Sequence, residues 1–274
     1  MNHTKNRGSN MMMVKTRLVL LFFMSWNLAL AQFPYTLNKK TDFLISGVGL
    51  ATVVSGQLIT NRNEALTISQ VNDLNSKDVN SFDRNAINNY SESSDKLSEA
   101  FLMGTAISSL SLLADKEVRQ ELLTVGVMGV EVLALNFGLA NMSKGILLRT
   151  RPYAYNPEVS IDRKLEVDAR YSFYSRTTAT TASISFFTAK VFSDLHPNSK
   201  WKPVVWGGAI IVPALTAYAK VDAGEHFYTD VLIGYSMGAL IGYFVPVMHL
   251  KSKRTGAEIK VQPNMNGVIA TITF

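Results

Sequence analysis

Lys144 stands seven positions before Arg151 and Pro152, and His226 stands four positions before Asp230. These residue types suit phosphoryl transfer. A phosphoryl group needs fixed cations around its equatorial oxygens, which Lys144 and Arg151 supply, and an imidazole to attack phosphorus or pass on a proton. Asp230 lies one helical turn beyond His226, so its carboxylate is expected to accept from the far ring nitrogen and fix the tautomer.

The elements that must hold these residues are helical. Six apolar stretches rich in Gly, Ala and Ser run over 43–60, 97–114, 122–142, 178–191, 204–218 and 231–249. Their length predicts helices rather than strands, with Pro213 kinking or offsetting the fifth. The fold class expected is therefore all-α, a six-helix bundle. Between the first two stretches, 61–96 is dense in Asn, Asp and Ser. Asp73, Asp78 and Asp83 lack the glycine and closing glutamate of a calcium loop, so short solvated helices and loop are expected. A second polar connection, 151–170, carries Asp162, Arg163, Lys164 and Glu166, and reads either as a lid over the site or as wet surface. Beyond His249 come the basic run 251–254 and two short strands around Pro263 and Gly267, a terminal β-hairpin that would dock elsewhere.

Composition narrows the classes. The chain of 274 residues has length for one sizeable domain. It has no cysteine, which excludes disulfides and thiolate metal sites, and its four histidines argue against a histidine-rich metal centre. No cofactor and no metal are expected. Lys5, Arg7, Lys15 and Arg17 supply four of the six net positive charges, leaving about +2 over the rest, and no basic stripe interleaved with aromatics remains, so nucleic acid is not an expected partner. Those four cations precede an apolar run, 18–30, and the small-x-small sequence Ala29-Leu30-Ala31. This predicts a signal peptide over 1–31, a helical domain over 32–250 and a tail over 251–274. The alternative for the first segment is an uncleaved membrane helix.

The site residues resemble the type 2 phosphatidic acid phosphatase superfamily, PAP2, whose motifs are Lys-x6-Arg-Pro, Pro-Ser-Gly-His and Ser-Arg-x5-His-x3-Asp. The first is complete from Lys144 to Pro152. The third keeps His226 and Asp230, with Lys220 where arginine is usual. The second falls on Ser172-Phe173-Tyr174-Ser175-Arg176-Thr177, where only Ser175 matches; Arg176 replaces the glycine and Thr177 the histidine. The resemblance spans 42–250, with the helix order of that family and of the vanadium haloperoxidases that share its scaffold.

By that resemblance His226 becomes a phosphohistidine, and Lys144, Arg151, Ser175, Arg176 and Lys220 hold phosphate. Thr177 stands at the acid position, where its hydroxyl does not titrate near neutrality. Loss of a general acid removes about 10²–10⁴ in rate. The expected function is hydrolysis of a phosphate monoester or pyrophosphate, lipid-linked or small, with reduced activity; the alternative is a non-catalytic phosphate- or phospholipid-binding relative. The expected location is the bacterial cell envelope, periplasmic and membrane-associated. Lys190 and the short second stretch argue against those two helices spanning. If all six spanned and Gln32 began outside, Lys144 and Arg151 would face the cytoplasm, against the family's outward-facing site.

Overall fold

A computed structural model of the chain describes residues 33–251, and the backbone of 258–264 and 267–273. The signal peptide expected over 1–31 lies outside the described residues. The chain divides into two units, Met1–Pro34 and Tyr35–Phe274, and the description below concerns the second.

Six helices of 18 residues or more form its frame: α1 Lys39–Thr60, α2 Glu92–Ser109, α3 Leu122–Leu147, α4 Arg176–Leu195, α5 Lys202–Asp222 and α6 Tyr228–Met248. Each falls on one expected stretch; α1, α3, α4 and α5 cover theirs and outrun it, α2 ends before the 3₁₀ turn Leu110–Ala114, and α6 ends one residue short of 249. Pro213 lies within α5. Shorter helices, among them Ile68–Asn72, Pro152–Tyr155 and Ile161–Lys164, fill the connections, so the described residues hold more helices than the six expected. The architecture is all-helical; beyond α6, the backbone segments β1 Glu258–Asn264 and β2 Gly267–Thr273 pair antiparallel with each other.

Local chemistry explains where the helices begin and end. Asn38 caps α1, Ser91 caps α2 and Ser175 caps α4, each side-chain oxygen accepting an otherwise unpaired first-turn N–H. α3 stops because Leu148 adopts a left-handed conformation, φ 48°, whose N–H still reaches the Lys144 carbonyl. That reversal carries Arg149 and Arg151 off the helix axis.

Close helix contacts are built on small residues. In the parallel pair α1 and α3, a Cβ added at Gly138 would sit 2.2 Å from Thr52 Oγ1, and one at Gly56 would sit 2.9 Å from the Met142 nitrogen. In the parallel pair α4 and α6, Gly234, Gly238 and Gly242 face the carbonyls of Ser175, Ala179 and Ser183, where added Cβ atoms would lie 2.6, 2.1 and 2.2 Å from oxygen. Glycines every four residues let two backbones approach without side chains between them. This contact sets the N-terminus of α4, with Ser175, Arg176 and Thr177, beside the start of α6.

The outward faces are apolar: Phe43, Leu44 and Leu50 of α1 and Leu123 and Val130 of α3 are exposed. Five of the six long helices are long and apolar enough to cross a membrane, all but α4. The second stretch is among them, contrary to the expectation that it was too short; the 3₁₀ turn Leu110–Ala114 extends it.

Candidate active site

Three backbone hydrogen bonds stitch the motif segments together. Ser172 N–H donates to the Arg149 carbonyl (2.9 Å), Arg151 N–H to Ala169 (2.8 Å) and Tyr153 N–H to Gly224 (3.0 Å). Gly224 itself has φ +72°, and a Cβ there would meet the Asn89 carbonyl at 2.2 Å, so the turn delivering His226 requires glycine. The segment between α1 and α2 is not merely solvated loop. Leu66 packs with Tyr153, Ala154 and Ala169, and Val79 and Ala86 pack with Phe227 and Val231, bracing the site loops from outside.

The motifs meet at a cavity of about 420 Å³. Of the residues predicted from sequence, Lys144, Arg151, Arg176, Thr177, Lys220 and His226 line it; Ser175 and Asp230 do not. Ser175 is fully buried and spends its hydroxyl within α4, on Thr178. Its assignment to phosphate binding is therefore corrected: it is a helix cap.

His226 is buried, and Nδ1 lies 2.7 Å from the Ser172 carbonyl. A carbonyl only accepts, so Nδ1 carries the proton and Nε2 keeps its lone pair. Nε2 lies 3.4 Å from an Arg151 N–H. Burial pushes the imidazole from its ordinary 6.5 down to about 3, with Asp230 opposing and Arg151 and Lys144 reinforcing the shift. The ring is neutral near pH 7.

The direct bond expected between His226 and Asp230 is not formed. Asp230 Oδ2 is 3.8 Å from Nδ1, so it acts on the ring as a nearby charge. Its oxygens instead accept from Ser172 Oγ, the Phe227 N–H (2.9 Å) and Arg149. The Ser172 carbonyl does the orienting. Arg149 was not singled out by sequence reasoning, although it lies inside the first motif; it bridges Asp230 and Asp83 (2.7 Å). Asp83 is fully buried and also accepts from Thr229 N–H (2.9 Å) and Oγ1 (2.6 Å). Burial would raise its carboxyl, but bonds from Thr229, Arg149 and Asn80 hold it below the usual range.

The cations are already engaged. Arg151 pairs with Glu225 (2.7 Å) and Asp168 (2.9 Å), and Arg163 also pairs with Glu225. Lys220 pairs with Asp95 (2.7 Å) and Glu99 (2.8 Å), and Lys144 donates to the Tyr171 carbonyl. Arg176 donates to Asn141 (3.0 Å) and lies over the Phe137 ring. Asp168 would be raised by burial, yet Arg151 and Lys144 keep it lowered. The lining thus holds five cations (Lys144, Arg151, Arg163, Arg176, Lys220) and four carboxylates (Asp95, Glu99, Asp168, Glu225). Of the 151–170 connection, Arg151, Arg163 and Asp168 reach the cavity. At the acid position, Thr177 Oγ1 donates to Glu99 at 3.3 Å. Tyr174 does not stand in for histidine there: it is buried away from the cavity, its phenol raised by desolvation.

A helical bundle with membrane-length apolar helices and a cation-lined pocket holding a buried neutral histidine defines the class. Residues 126–254 match the model of the PAP2 superfamily. A lipid A 4'-phosphatase of Porphyromonas gingivalis is 28% identical over 155 residues, covering 54% of this chain and 61% of the relative. The crystal structure of a transmembrane PAP2 type phosphatidylglycerolphosphate phosphatase from Bacillus subtilis superposes with a TM-score of 0.40 at 20% identity, covering 78% of this chain and 99% of that one.

Proposed function

We propose that the helical domain, 32–250, is a membrane-embedded phosphatase of the cell envelope that hydrolyses a lipid-linked phosphate monoester or pyrophosphate through a phosphohistidine at His226. The observation that carries this is the His226 tautomer: Nδ1–H is committed to the Ser172 carbonyl, so Nε2 carries the lone pair, 3.4 Å from the Arg151 guanidinium that would hold the phosphoryl oxygens. In the proposed step Nε2 forms a bond to phosphorus, the bond to the leaving oxygen breaks, and its electron pair departs with that oxygen. The ring becomes cationic, with Asp230 3.8 Å from Nδ1 offsetting the charge. Water then cleaves the P–N bond, releasing phosphate and restoring Nε2.

Two features support reduced activity. Thr177 cannot protonate a leaving alkoxide, and the five cations must be shared between the phosphoryl oxygens and four carboxylates. A leaving group that needs little protonation is therefore favoured: a pyrophosphate's phosphate or an aryl oxide over an alkoxide. The relative named as a lipid A 4'-phosphatase supports a lipid substrate, and the apolar helix faces support one presented from the bilayer.

Phosphate release by the full-length protein in detergent tests this. Wild type should turn over undecaprenyl pyrophosphate and aryl phosphates faster than phosphatidic acid, and His226→Ala should be at background. Equal or faster cleavage of the alkyl ester would overturn the leaving-group argument. Indistinguishable wild-type and His226→Ala traces would return the reading to phosphate binding without turnover.

A further inference from the structure

At the end of the bundle away from the pocket, Asp42 in the first turn of α1, Glu131 within α3 and His249 at the C-cap of α6 converge. One ligating atom from each lies within 4.8 Å of the others. We propose that these three residues bind a divalent first-row metal ion, with zinc preferred, that ties the three helices together.

The histidine supplies the first argument. His249 is buried, and Nδ1 sits 2.8 Å from the Val245 carbonyl, so Nδ1 carries the proton. Nε2 then presents a lone pair 2.9 Å from Asp42 Oδ1 and 3.3 Å from Glu131 Oε2. Three electron-rich atoms facing one another repel unless a proton or a metal cation lies between them. A ring whose other nitrogen donates to a backbone carbonyl is the usual arrangement of a metal-bound histidine.

Glu131 supplies a second, independent argument. Its side chain is 1% exposed and lies in a helix long and apolar enough to span a membrane. Oε1 accepts from Ser46 Oγ at 3.0 Å, but Oε2 has no hydrogen bond. Among the described residues, no lysine or arginine pairs with Glu131 or Asp42. A second proton on His249 would serve Asp42, leave Oε2 without a donor and leave one net negative charge buried. A divalent ion neutralises both carboxylates and gives all three atoms a partner.

The donor types fit, and so do the separations of 2.9 and 3.3 Å from His249 Nε2 to the two carboxylates. Ligands bonded at about 2.0–2.2 Å to one ion lie roughly 3.0–3.5 Å apart for octahedral to tetrahedral angles. One imidazole with two carboxylates suits zinc or manganese better than calcium or magnesium, and zinc binds the more tightly of the first two. The role is structural. α6 separates His249 from the pocket by about 30 Å at 1.5 Å per residue, so the ion does not meet the phosphoryl group. The absence of thiolates and the small number of histidines had pointed away from a metal; carboxylates from α1 and α3 make up the shortfall.

The test uses full-length protein in detergent, stripped with chelator, titrated with zinc chloride and desalted, with bound metal measured by mass spectrometry and melting followed in parallel. Wild type should retain about one zinc per chain, by the three-ligand count, and melt higher with zinc. Glu131→Gln and His249→Gln should weaken binding by more than about 100-fold, the upper loss for residues that merely support a ligand. Both should lose the melting shift, and His226→Ala should keep both responses. Should the buried variants fail to fold, Asp42→Asn, whose site is 21% exposed, should show the same weakened retention. Wild type that retains no zinc, or ligand variants that retain as much as wild type, would overturn the proposal. So would a Glu131→Gln protein that melts higher than a wild type unresponsive to zinc, which would mark the cluster as an ion pair alone.

Discussion

At the scale of single residues, the site depends on a chain of polar contacts behind the cavity, from Asp83 through Arg149 to Asp230 and Ser172 and on to His226. Removing Arg149 would leave two buried carboxylates without their cation, a change that typically costs about 3–5 kcal/mol. Arg149→Ala should therefore lower the melting temperature sharply and abolish phosphate release, with Arg149→Lys restoring part of each, as thermal melts and release assays would show. His226 makes a separate prediction. Its imidazole titrates at about 3 in the folded chain, against an ordinary 6.5. The unfolded chain then takes up a proton that the folded chain refuses, so stability is lost as pH falls through 6.5 toward 3. His226→Asn should lose less stability than wild type over that window. In wild type the acid limb of kcat/KM should show no imidazole near 6.5, once the substrate's own phosphate ionisation near about 6 is allowed for.

At the scale of elements, the glycine contact between α4 and α6 governs how the second and third motifs face each other. Gly238→Ala puts a carbon 2.1 Å from the Ala179 carbonyl. Overpacking of this kind costs about 1–3 kcal/mol, and the shift should carry Arg176 and Thr177 away from His226. Activity is expected to fall more than stability, whereas Gly104→Ala in α2, with nothing within 4 Å, should alter neither. The same comparison shows what was legible in the sequence. Lys144, Arg151 and His226 could be found because helix-scale spacing fixes residues near one another in the chain, and the six long helices because apolar runs declare themselves. Arg149, Asp83 and Glu225 could not, because their partners lie 81, 146 and 74 positions away and only tertiary packing joins them. Ser175 misled for a related reason: a serine at a motif position and a serine at a helix cap read alike until the helix start is known. The cluster of Asp42, Glu131 and His249 was hidden in the same way, across three helices.

For the whole molecule, the pocket and the start of α1 lie at opposite ends of the bundle. Lys39, Lys40, Lys116, Arg119, Lys200 and Lys202 lie at the end away from the pocket, and Arg62, Lys77, Arg84, Arg149, Arg151, Arg163, Lys164 and Arg170 lie in the connections at the pocket end, so the loop cations do not assign a cytoplasmic side. The proposed envelope function needs a pocket that opens outward, which would place the start of α1 inside, and a start exported at Gln32 does not hold together with that orientation. Because the chain has no cysteine, single reporters are clean: Glu158→Cys should react with an impermeant maleimide on intact cells, and Lys200→Cys only after lysis. The reverse pattern would put the pocket inside and favour the exported start. The three glycines of α6 carry a last mechanical meaning. With their backbones in contact, α4 and α6 form one beam, and main-chain hydrogen bonds tie the first motif to Ala169, Ser172 and Gly224 in the segments that lead into the two helices. α2, by contrast, meets the cavity through side chains, Asp95 and Glu99 against Lys220 and Thr177. If the proposed lipid substrate is bulky, α2 is the wall expected to give way for it, while the beam would keep the proposed nucleophile, His226, aligned.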